Sequence, residues 1–287
     1  MKKSMLTTAV VSALMLCACT QAPVYNLADH IGCCRSIEDA SFIADAGGAY
    51  VEIGINAFLI PEESDEVFAA NLKAARECPL PIISGNGFYP GDIRLTGPDA
   101  DLERALNYAR TAIIRAEAVG LRYMVLGSGG ARHIPDGFSK AEAEEQFVTL
   151  LKGMGPIAAE HGITIVIEPL RSGETNFINS VREGTAICKK VDHPNICVLA
   201  DFYHMAMEGE DAGAIVEAGS LLRHCHIAEC EGRTCPGVHG DDFTPYFEAL
   251  GEIGYEGNIS IECGWEDFVN QVGPSIAEMK RQISLIQ

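Results

Sequence analysis

Short apolar runs alternate with longer amphipathic stretches along the chain from residue 29 onward. The run at residues 163–167, Ile-Thr-Ile-Val-Ile, is mostly β-branched and lacks polar alternation, which is typical of a parallel strand buried on both faces. The same pattern predicts strands at residues 29–34, 49–55, 81–87, 123–127, 162–169, 196–204, 223–229 and 258–263.

Each predicted strand is followed by a stretch with helical periodicity, a polar start and a glycine or polar stop. Ser36 and Asp39 form a capping-box start, and acidic residues follow Ser139, where negative charge suits a helix N-terminus. The predicted helices run from Ser36 to the Gly47-Gly48 pair and at residues 63–78, 99–120, 139–162, 180–191, 212–219, 243–254 and 275–287.

Eight strand and helix units without a break in composition predict a single (β/α)8 TIM barrel. The alternative is an open, doubly wound sheet. Such a sheet rarely contains eight units of this kind, and it would be expected to carry a phosphate-binding loop. The glycine-rich segment Gly127-Ser-Gly-Gly130 lacks the residues that complete such a loop. The barrel is therefore the preferred fold.

Composition limits the partners of this fold. The chain has 287 residues, of which 47% are hydrophobic and 21% charged, enough for one large core. Asp and Glu number 40 against 21 Lys and Arg, a formal charge of −19. Such a surface repels phosphate backbones and anionic lipids, so nucleic acid is not an expected partner. A small polar or metal-bound ligand fits better.

The first residues have the pattern of an export signal. Lys2 and Lys3 precede an apolar stretch at residues 5–16 that is too short to span a bilayer, and Leu16-Cys-Ala-Cys19 follows. This resembles a bacterial lipoprotein signal peptide with its lipobox. The resemblance implies cleavage before Cys19, lipidation of its thiol, and anchoring in the cell envelope, on the periplasmic side or the cell surface. The alternative is an ordinary signal peptide cut nearby.

The chain is thus expected to comprise a signal peptide at residues 1–18, a lipidated tether at 19–26 and the barrel at 27–287. Nine of the eleven cysteines lie beyond Cys19, several of them in or beside apolar segments. Most are predicted to pack as small hydrophobic residues. Their abundance argues mildly against an oxidising compartment, but the lipobox is the more specific signal.

Four predicted strands end in side chains that bind metal ions. Strands five, six and eight end at Glu168, Asp201 and Glu262, and strand seven carries His224 and His226. The two histidines share a face of their strand, and His226 lies nearer the carboxyl end, where the barrel strands meet at one rim. Three carboxylates and one imidazole suit Mn²⁺, Mg²⁺ or Co²⁺ better than structural zinc. Without a cation such a cluster would repel itself.

The motifs around these groups are Glu168-Pro-Leu with Glu174, Asp201-Phe-Tyr-His204, His224-Cys-His226-Ile-Ala-Glu229, Arg233-Thr-Cys-Pro236-Gly237 and Ile261-Glu262. They resemble the xylose isomerase-like barrel superfamily, and within it the ketose 3-epimerases that act on tagatose or allulose. The resemblance extends from the first strand to the last helix.

This resemblance implies a divalent-metal-dependent sugar isomerase or epimerase with a small carbohydrate as its substrate. One metal ion, Mn²⁺ by preference with Mg²⁺, Co²⁺ or Zn²⁺ as alternatives, would have four ligands: Glu168, Asp201, His226 and Glu262. Three residues would hold sugar hydroxyls: Glu174, His204 and Arg233. The ion would acidify the C–H group beside the sugar carbonyl and stabilise an enediolate, while Glu168 and Glu262 remove and return the proton from opposite faces.

Three features depart from the ketose 3-epimerase pattern. Arg233 follows His226 by seven residues rather than six, and Pro236-Gly-Val-His239-Gly240 replaces the usual Pro-Gly-x-Gly. Arg171 stands where an Asn often follows Glu-Pro-Leu. We expect the metal core to be retained and the substrate to differ from the commonest free ketoses.

Other functions use the same residues. A 3-keto-glycoside lyase could lose the proton and then the C1 substituent, and a lipid-anchored sugar-binding protein could retain the site without catalysis. The apurinic-site endonucleases share this barrel but need further His ligands from early strands, and residues 51–56 and 82–88 contain none. The sequence also leaves open whether the protein forms a homo-oligomer.

Overall fold

Eight parallel strands form one closed barrel in sequence order in the computed structural model, which describes residues 25–286. Strand β1 pairs with both β2 and β8, which closes the barrel. The strands are β1 (Ile31–Cys34), β2 (Tyr50–Gly54), β3 (Ile82–Asn86), β4 (Tyr123–Leu126), β5 (Thr164–Ile167), β6 (Ile196–Asp201), β7 (Leu222–Ile227) and β8 (Asn258–Ile261). The predicted (β/α)8 barrel is confirmed, whereas the predicted signal peptide and Cys19 lie outside the described residues.

Helices follow every strand and cover the outside of the barrel. In the described part of the chain they are α1 (Ala40–Asp45), α2 (Ile55–Phe58), α3 (Asp65–Glu77), α4 (Leu102–Val119), α5 (Gly129–Arg132), α6 (Lys140–Glu160), α7 (Val181–Val191), α8 (Phe202–Met207), α9 (Gly213–Ala218), α10 (Thr244–Glu252) and α11 (Phe268–Ile283). The short helices α2, α5 and α8 lie at the carboxyl ends of β2, β4 and β6. Within residues 25–286, no helix combines the length and apolar character that a membrane crossing requires.

Several predicted boundaries differ from the structure by two or more residues, and the differences at β6 and α11 are among the largest. Strand β6 ends at Asp201 rather than at residue 204, because the Asp201 side chain caps α8 and turns the chain into a helix. Helix α11 begins at Phe268 rather than at residue 275 and includes Pro274. Proline usually interrupts a helix, but here burial of Phe268, Val272 and Ile276 on one face accompanies the continued helix.

The inside of the barrel has an apolar and a polar half. Val125, Val166, Cys197 and Leu199, from β4 to β6, pack together as one cluster. Polar side chains of β2, β3, β7 and β8 contact one another although these strands are not all neighbours, so they must point inward: Glu52, Ser84, His224 and Ser260. The main core lies between the strands and the helices. The polar half includes His224 and Glu52, which lie next to the carboxyl rim where the predicted site is found.

The cysteines behave as small core residues. All nine in the described part of the chain are free thiols. Five of them are buried, namely Cys33, Cys188, Cys197, Cys225 and Cys235. Most of these thiols therefore pack within the fold, as predicted.

Candidate functional site

Four side chains converge at the carboxyl ends of β5 to β8. Glu168 directly follows β5, Asp201 ends β6, His226 lies near the end of β7 and Glu262 directly follows β8. Each offers one ligand atom, and these four atoms all lie within 4.8 Å of one another. The structure thus brings together the four residues that the sequence predicted as metal ligands.

The two carboxylate oxygens of Asp201 have different partners: one caps a helix, and the other faces the candidate site. Its Oδ1 accepts hydrogen bonds from the backbone N–H groups of Tyr203, at 2.8 Å, and His204, at 3.3 Å. These bonds cap helix α8 and fix the carboxylate. Oδ2 is left to face the other groups, where it lies 3.4 Å from Nη2 of Arg233. Burial raises the pKa of Asp201, although His204 opposes this shift.

Glu168 and Glu262 flank His226 and differ in their affinity for a proton. Nδ1 of His226 lies 2.9 Å from Oε1 of Glu168 and 3.5 Å from Oε2 of Glu262. Burial raises the pKa of Glu168, and the charge of Glu262 adds to this effect. Burial also opposes ionisation of Glu262, but His226 and Arg233 outweigh it and lower the pKa of Glu262 to about 2. The pair therefore contains one carboxyl that favours a proton and one that favours ionisation.

Two features at the end of β4 shape the position of Glu168. A Cβ atom added to Gly127 would lie 2.2 Å from Oε2 of Glu168, so only glycine leaves room for this carboxylate. Arg132 in α5 is fully buried and donates to the carbonyl oxygens of Glu168, at 2.8 Å, and Leu126, at 3.0 Å. Arg132 thereby ties the ends of β4 and β5 together.

His204 presents a hydrogen-bond donor to the site. Its Nδ1 accepts the backbone N–H of Arg171 at 3.2 Å, so in the neutral ring the proton is on Nε2. Burial lowers the pKa of His204, which favours this neutral form. Nε2 is buried without a hydrogen-bond partner among the described residues and lies 3.5 Å from Oδ2 of Asp201. A bound oxygen ligand would satisfy this orphaned donor.

Arg233 and Glu174 lie above the cluster on loops after β7 and β5. The Arg233 guanidinium contacts Glu262 and lies 3.8 Å from Oε1 of Glu174. It also stacks 4.8 Å above the Tyr203 ring. Oε1 of Glu174 accepts a hydrogen bond from Nε of Arg171 at 2.9 Å. The predicted sugar-binding residues therefore surround the cluster on one side, and Arg171 joins them.

The loop that carries Arg233 is organised by Glu229. This buried carboxylate accepts hydrogen bonds from the backbone N–H groups of Gly237, at 2.8 Å, His239, at 2.6 Å, and Gly240, at 3.0 Å. The altered segment after Pro236 therefore folds around a fixed anion. His239 itself points elsewhere, with Nδ1 3.7 Å from Glu231, and is not part of the four-residue group.

Sequence reasoning missed the residues that reach the cluster from early strands. Asn86 of β3 donates to Oε1 of Glu262 at 2.6 Å. Glu52 of β2 lies beneath His226, with Oε1 2.9 Å from Nε2 of that ring. The available signal was a carboxylate inside the apolar strand Tyr50-Val-Glu-Ile, since charged residues are rarely buried without a partner.

The four-residue group fits a divalent cation. Its atoms are three carboxylate oxygens and one imidazole nitrogen, a set that Mn²⁺, Mg²⁺ and Co²⁺ accept. Three clustered carboxylates need a compensating charge, which without an ion comes from Arg233, in contact with two of them, and from His226, whose pKa is raised, despite burial, by the surrounding carboxylates. A cavity of about 360 Å³ beside β1 to β3 is lined in part by Arg35, Glu52 and Asn86 and by none of the four candidate ligands. It adjoins the group through Glu52, which contacts His226, and Asn86, which contacts Glu262. The four ligand atoms themselves can hold an ion.

Comparisons with known proteins find a family match and similar chains among sugar epimerases. Residues 40–286 match the family described as the xylose isomerase-like TIM barrel. The chain is 30% identical over 173 residues to a D-psicose 3-epimerase of Ruminiclostridium cellulolyticum, a match that covers 58% of this chain and 58% of that protein, less than two thirds of either. It is 27% identical over 223 residues to a 3-dehydro-D-guloside 4-epimerase of Escherichia coli, covering 74% of this chain and 83% of that protein.

The fold is also found among solved structures. A crystal structure of a D-psicose 3-epimerase with D-tagatose, from Clostridium cellulolyticum H10, superposes with a TM-score of 0.77 at 22% identity and covers 90% of this chain and 99% of that chain. At this identity the similarity establishes the fold alone. Because the family match extends from residue 40 to residue 286, the chain belongs to the xylose isomerase-like TIM barrel family.

Proposed function

We propose that this protein is a divalent-metal-dependent sugar isomerase or epimerase that removes and returns a proton next to a sugar carbonyl. The observation that carries the proposal is the closeness of both Glu168 and Glu262 to Nδ1 of His226, at 2.9 and 3.5 Å, within a group of four ligand atoms that lie within 4.8 Å of one another. Two carboxylates in such an arrangement can face the two sides of one carbon atom.

The metal ligands would be Glu168, Asp201, His226 and Glu262, with Mn²⁺ as the preferred ion. When bound, the ion would polarise the sugar carbonyl and stabilise the negative charge that develops on loss of the proton. The oxygen-rich donor set and the orphaned Nε2 of His204 support an ion with an oxygen ligand beside it.

The two glutamates would divide the proton transfer. One carboxylate removes the proton from the carbon beside the carbonyl, and the other returns a proton from the opposite side, which inverts the configuration there. In the metal-free protein burial raises the pKa of Glu168, whereas at Glu262 burial is outweighed by His226 and Arg233, which lower the pKa to about 2, so the two carboxyl groups differ in their affinity for a proton.

The surrounding residues would orient the sugar. Nε2 of His204 can donate to a substrate oxygen, and Arg233 and Glu174 can bind hydroxyl groups as donor and acceptor. The cavity lined by Arg35, Glu52 and Asn86 adjoins His226 and Glu262 through the contacts of Glu52 and Asn86, and it would take a part of the molecule that extends past Asn86. Positioning of this kind contributes to catalysis because the reacting atoms are held in the productive geometry.

The relatives support this reaction class without fixing the substrate. The Ruminiclostridium relative acts on D-psicose, and the E. coli relative on a 3-dehydro-guloside, which is a keto-glycoside. A keto-glycoside substrate agrees with the expectation that the substrate is not a common free ketose. It also favours a second candidate reaction, in which proton loss is followed by elimination of the glycosidic substituent.

Product analysis separates these candidates. The Mn²⁺-loaded protein would be incubated with a panel of free ketoses and 3-keto-glycosides, and the products followed by NMR. An epimerase or isomerase yields a product of the same mass, whereas a lyase splits the glycoside. Tight binding of a panel sugar by metal-loaded protein without turnover of any panel member would favour the anchored sugar-binding protein instead.

A further inference from the structure

A buried carboxylate joins the two histidines of β7. Glu52 has a fully buried side chain in the middle of β2. Its neighbours are Nε2 of His226 at 2.9 Å, Nε2 of His224 at 2.8 Å, and the hydroxyl groups of Ser84 and Ser260, each at 2.6 Å. These residues come from β2, β3, β7 and β8, so Glu52 connects strands across the inside of the barrel.

The two oxygens of Glu52 have different partners. Oε1 lies against Nε2 of His226 alone. Oε2 receives both serine hydroxyls and faces Nε2 of His224. A carboxylate only accepts hydrogen bonds, so Nε2 of His226 must carry the proton that fills this contact. The other ring nitrogen, Nδ1, lies 2.9 Å from Glu168 and 3.5 Å from Glu262, so without an ion it shares a proton with these carboxylates. An ion bound there would replace that proton and take the Nδ1 lone pair, while the Nε2 proton stays in its contact with Glu52.

We infer that Glu52 is a positioning residue that holds His226 in the Nε2–H tautomer and thereby directs the Nδ1 lone pair into the four-residue group. The inference rests on the proposed metal site. Hydrogen bonds from a second side chain to a metal-binding histidine fix the ring orientation and the tautomer, and their loss typically lowers metal affinity about 10- to 100-fold. Glu52 would act on the ion through His226, without contacting it.

The surroundings favour this role over direct ligation. Cys34, Glu52 and His226 also place ligand atoms within 4.8 Å of one another. An ion among these three would have to replace the contact between Glu52 and Nε2 of His226. Both oxygens of Glu52 already lie at ordinary hydrogen-bond distances from buried donors, so the carboxylate is satisfied without a cation.

The substitution Glu52→Gln tests the inference with little change of shape. Three groups converge on the Oε2 position, and two of them are serine hydroxyls that can donate hydrogen bonds. The amide oxygen of the glutamine is therefore expected at this position. Its NH₂ group would then lie opposite Nε2 of His226. An amide donor at that position requires a lone pair on Nε2 and moves the ring proton to Nδ1. His226 would then offer no lone pair to the ion. The matched control is Ser84→Ala, which removes a donor to Oε2 and leaves the contact between Oε1 and His226.

Two readouts follow from this design. In protein loaded with diamagnetic Zn²⁺, ¹⁵N NMR of labelled histidines reports which ring nitrogen keeps its proton, with the His226 signal assigned by its loss in His226→Gln. Calorimetric titration with Mn²⁺ alone reports affinity. We expect the Nε2–H tautomer in the wild-type protein and in Ser84→Ala, with unchanged Mn²⁺ affinity in that control. Glu52→Gln should show the Nδ1–H tautomer and an affinity lower by about 10- to 100-fold.

The possible failures can be told apart. An Nδ1–H tautomer in the wild-type protein would overturn the inference even if Glu52→Gln does not fold. Equal Mn²⁺ affinity in the wild-type and Glu52→Gln proteins would overturn it as well. A thiolate-to-cobalt absorption band after Co²⁺ binding would place the ion at Cys34 and Glu52 instead. A wild-type protein that binds neither Mn²⁺ nor Zn²⁺ would overturn the proposed metal function and, with it, the role of Glu52 toward the ion.

Discussion

Nδ1 of His226 and Oε1 of Glu168 lie 2.9 Å apart although their strands, β7 and β5, are separated by β6. The contact therefore crosses the inside of the barrel at its carboxyl rim. It joins the only ring nitrogen of the four-residue group to a carboxylate whose pKa is raised by burial. Metal binding and proton transfer are both expected to depend on this contact.

Gly127 is predicted to be required for the position of Glu168. In Gly127→Ala the new Cβ would clash with Oε2 of Glu168, and the carboxylate would have to leave its present position opposite His226. A displacement of about 1 Å in a catalytic group can lower the rate about 100-fold. We expect a loss of this order in kcat with a native circular dichroism spectrum. Gly130→Ala is the control, because no atom lies within 4 Å of a Cβ there, and equal activities of the two variants would contradict the prediction.

Metal binding is predicted to stabilise the folded protein. A ligand that binds only the native state at 100 times its Kd adds about 2.7 kcal/mol to the free energy of unfolding. Saturating Mn²⁺ should therefore raise Tm by several degrees, and a chelator should reverse the shift. Asp201→Asn should remove the Mn²⁺ response while keeping the fold, because Asn can still cap helix α8. A Tm that responds to Mn²⁺ equally in both proteins would place the ion elsewhere.

Arg171 is predicted to influence substrate choice. Its guanidinium holds Glu174 at 2.9 Å, next to Arg233 at the edge of the site. Arg171→Asn removes this cation and frees Glu174, so the ratio of kcat/KM between 3-keto-glycosides and free ketoses should change by on the order of tenfold. Arg110→Asn, an exposed substitution on α4, serves as the control. A ratio that stays constant in Arg171→Asn would mean that this residue does not select the substrate.

Cys19 is predicted to carry the lipid anchor. The lipobox Leu16-Cys-Ala-Cys19 motivates this proposal. In bacterial cells, the wild-type protein should incorporate labelled palmitate and sediment with membranes, and Cys19→Ala should do neither. Cys17→Ala should behave like the wild type. Label in the Cys19→Ala protein would support a different modification site and an ordinary signal peptide.

The candidate site residues at the carboxyl rim of the barrel could be predicted from the sequence, whereas the side-chain contacts inside the barrel could not. Glu168 and Glu262 each end an apolar strand, and that local pattern is visible without knowledge of the fold. His204 was assigned to β6 because its helical start depends on capping by the Asp201 side chain. The group at the strand ends was therefore predictable, whereas the turn that orients His204 was not.

Contacts between distant strands could not be predicted in the same way. Glu52 and His226 are 174 positions apart, and Asn86 and Glu262 are 176 apart. Their pairing depends on barrel closure and on which side chains are long enough to meet inside it. Arg132 belongs to a short helix that lacks a periodic pattern, so its role at Glu168 could be recognised only in the structure.

The most direct test of the proposed function is the entry of solvent deuterium into substrate. The Mn²⁺-loaded protein would be incubated in D₂O with a free ketose and a 3-keto-glycoside, and carbon-bound deuterium followed by NMR. We predict deuterium at the carbon beside the carbonyl, a rate about 10²- to 10⁴-fold lower in Glu168→Gln, and no loss in the exposed control Glu103→Gln. Turnover without deuterium entry, or equal rates in Glu168→Gln and the wild type, would contradict proton transfer by the glutamate pair.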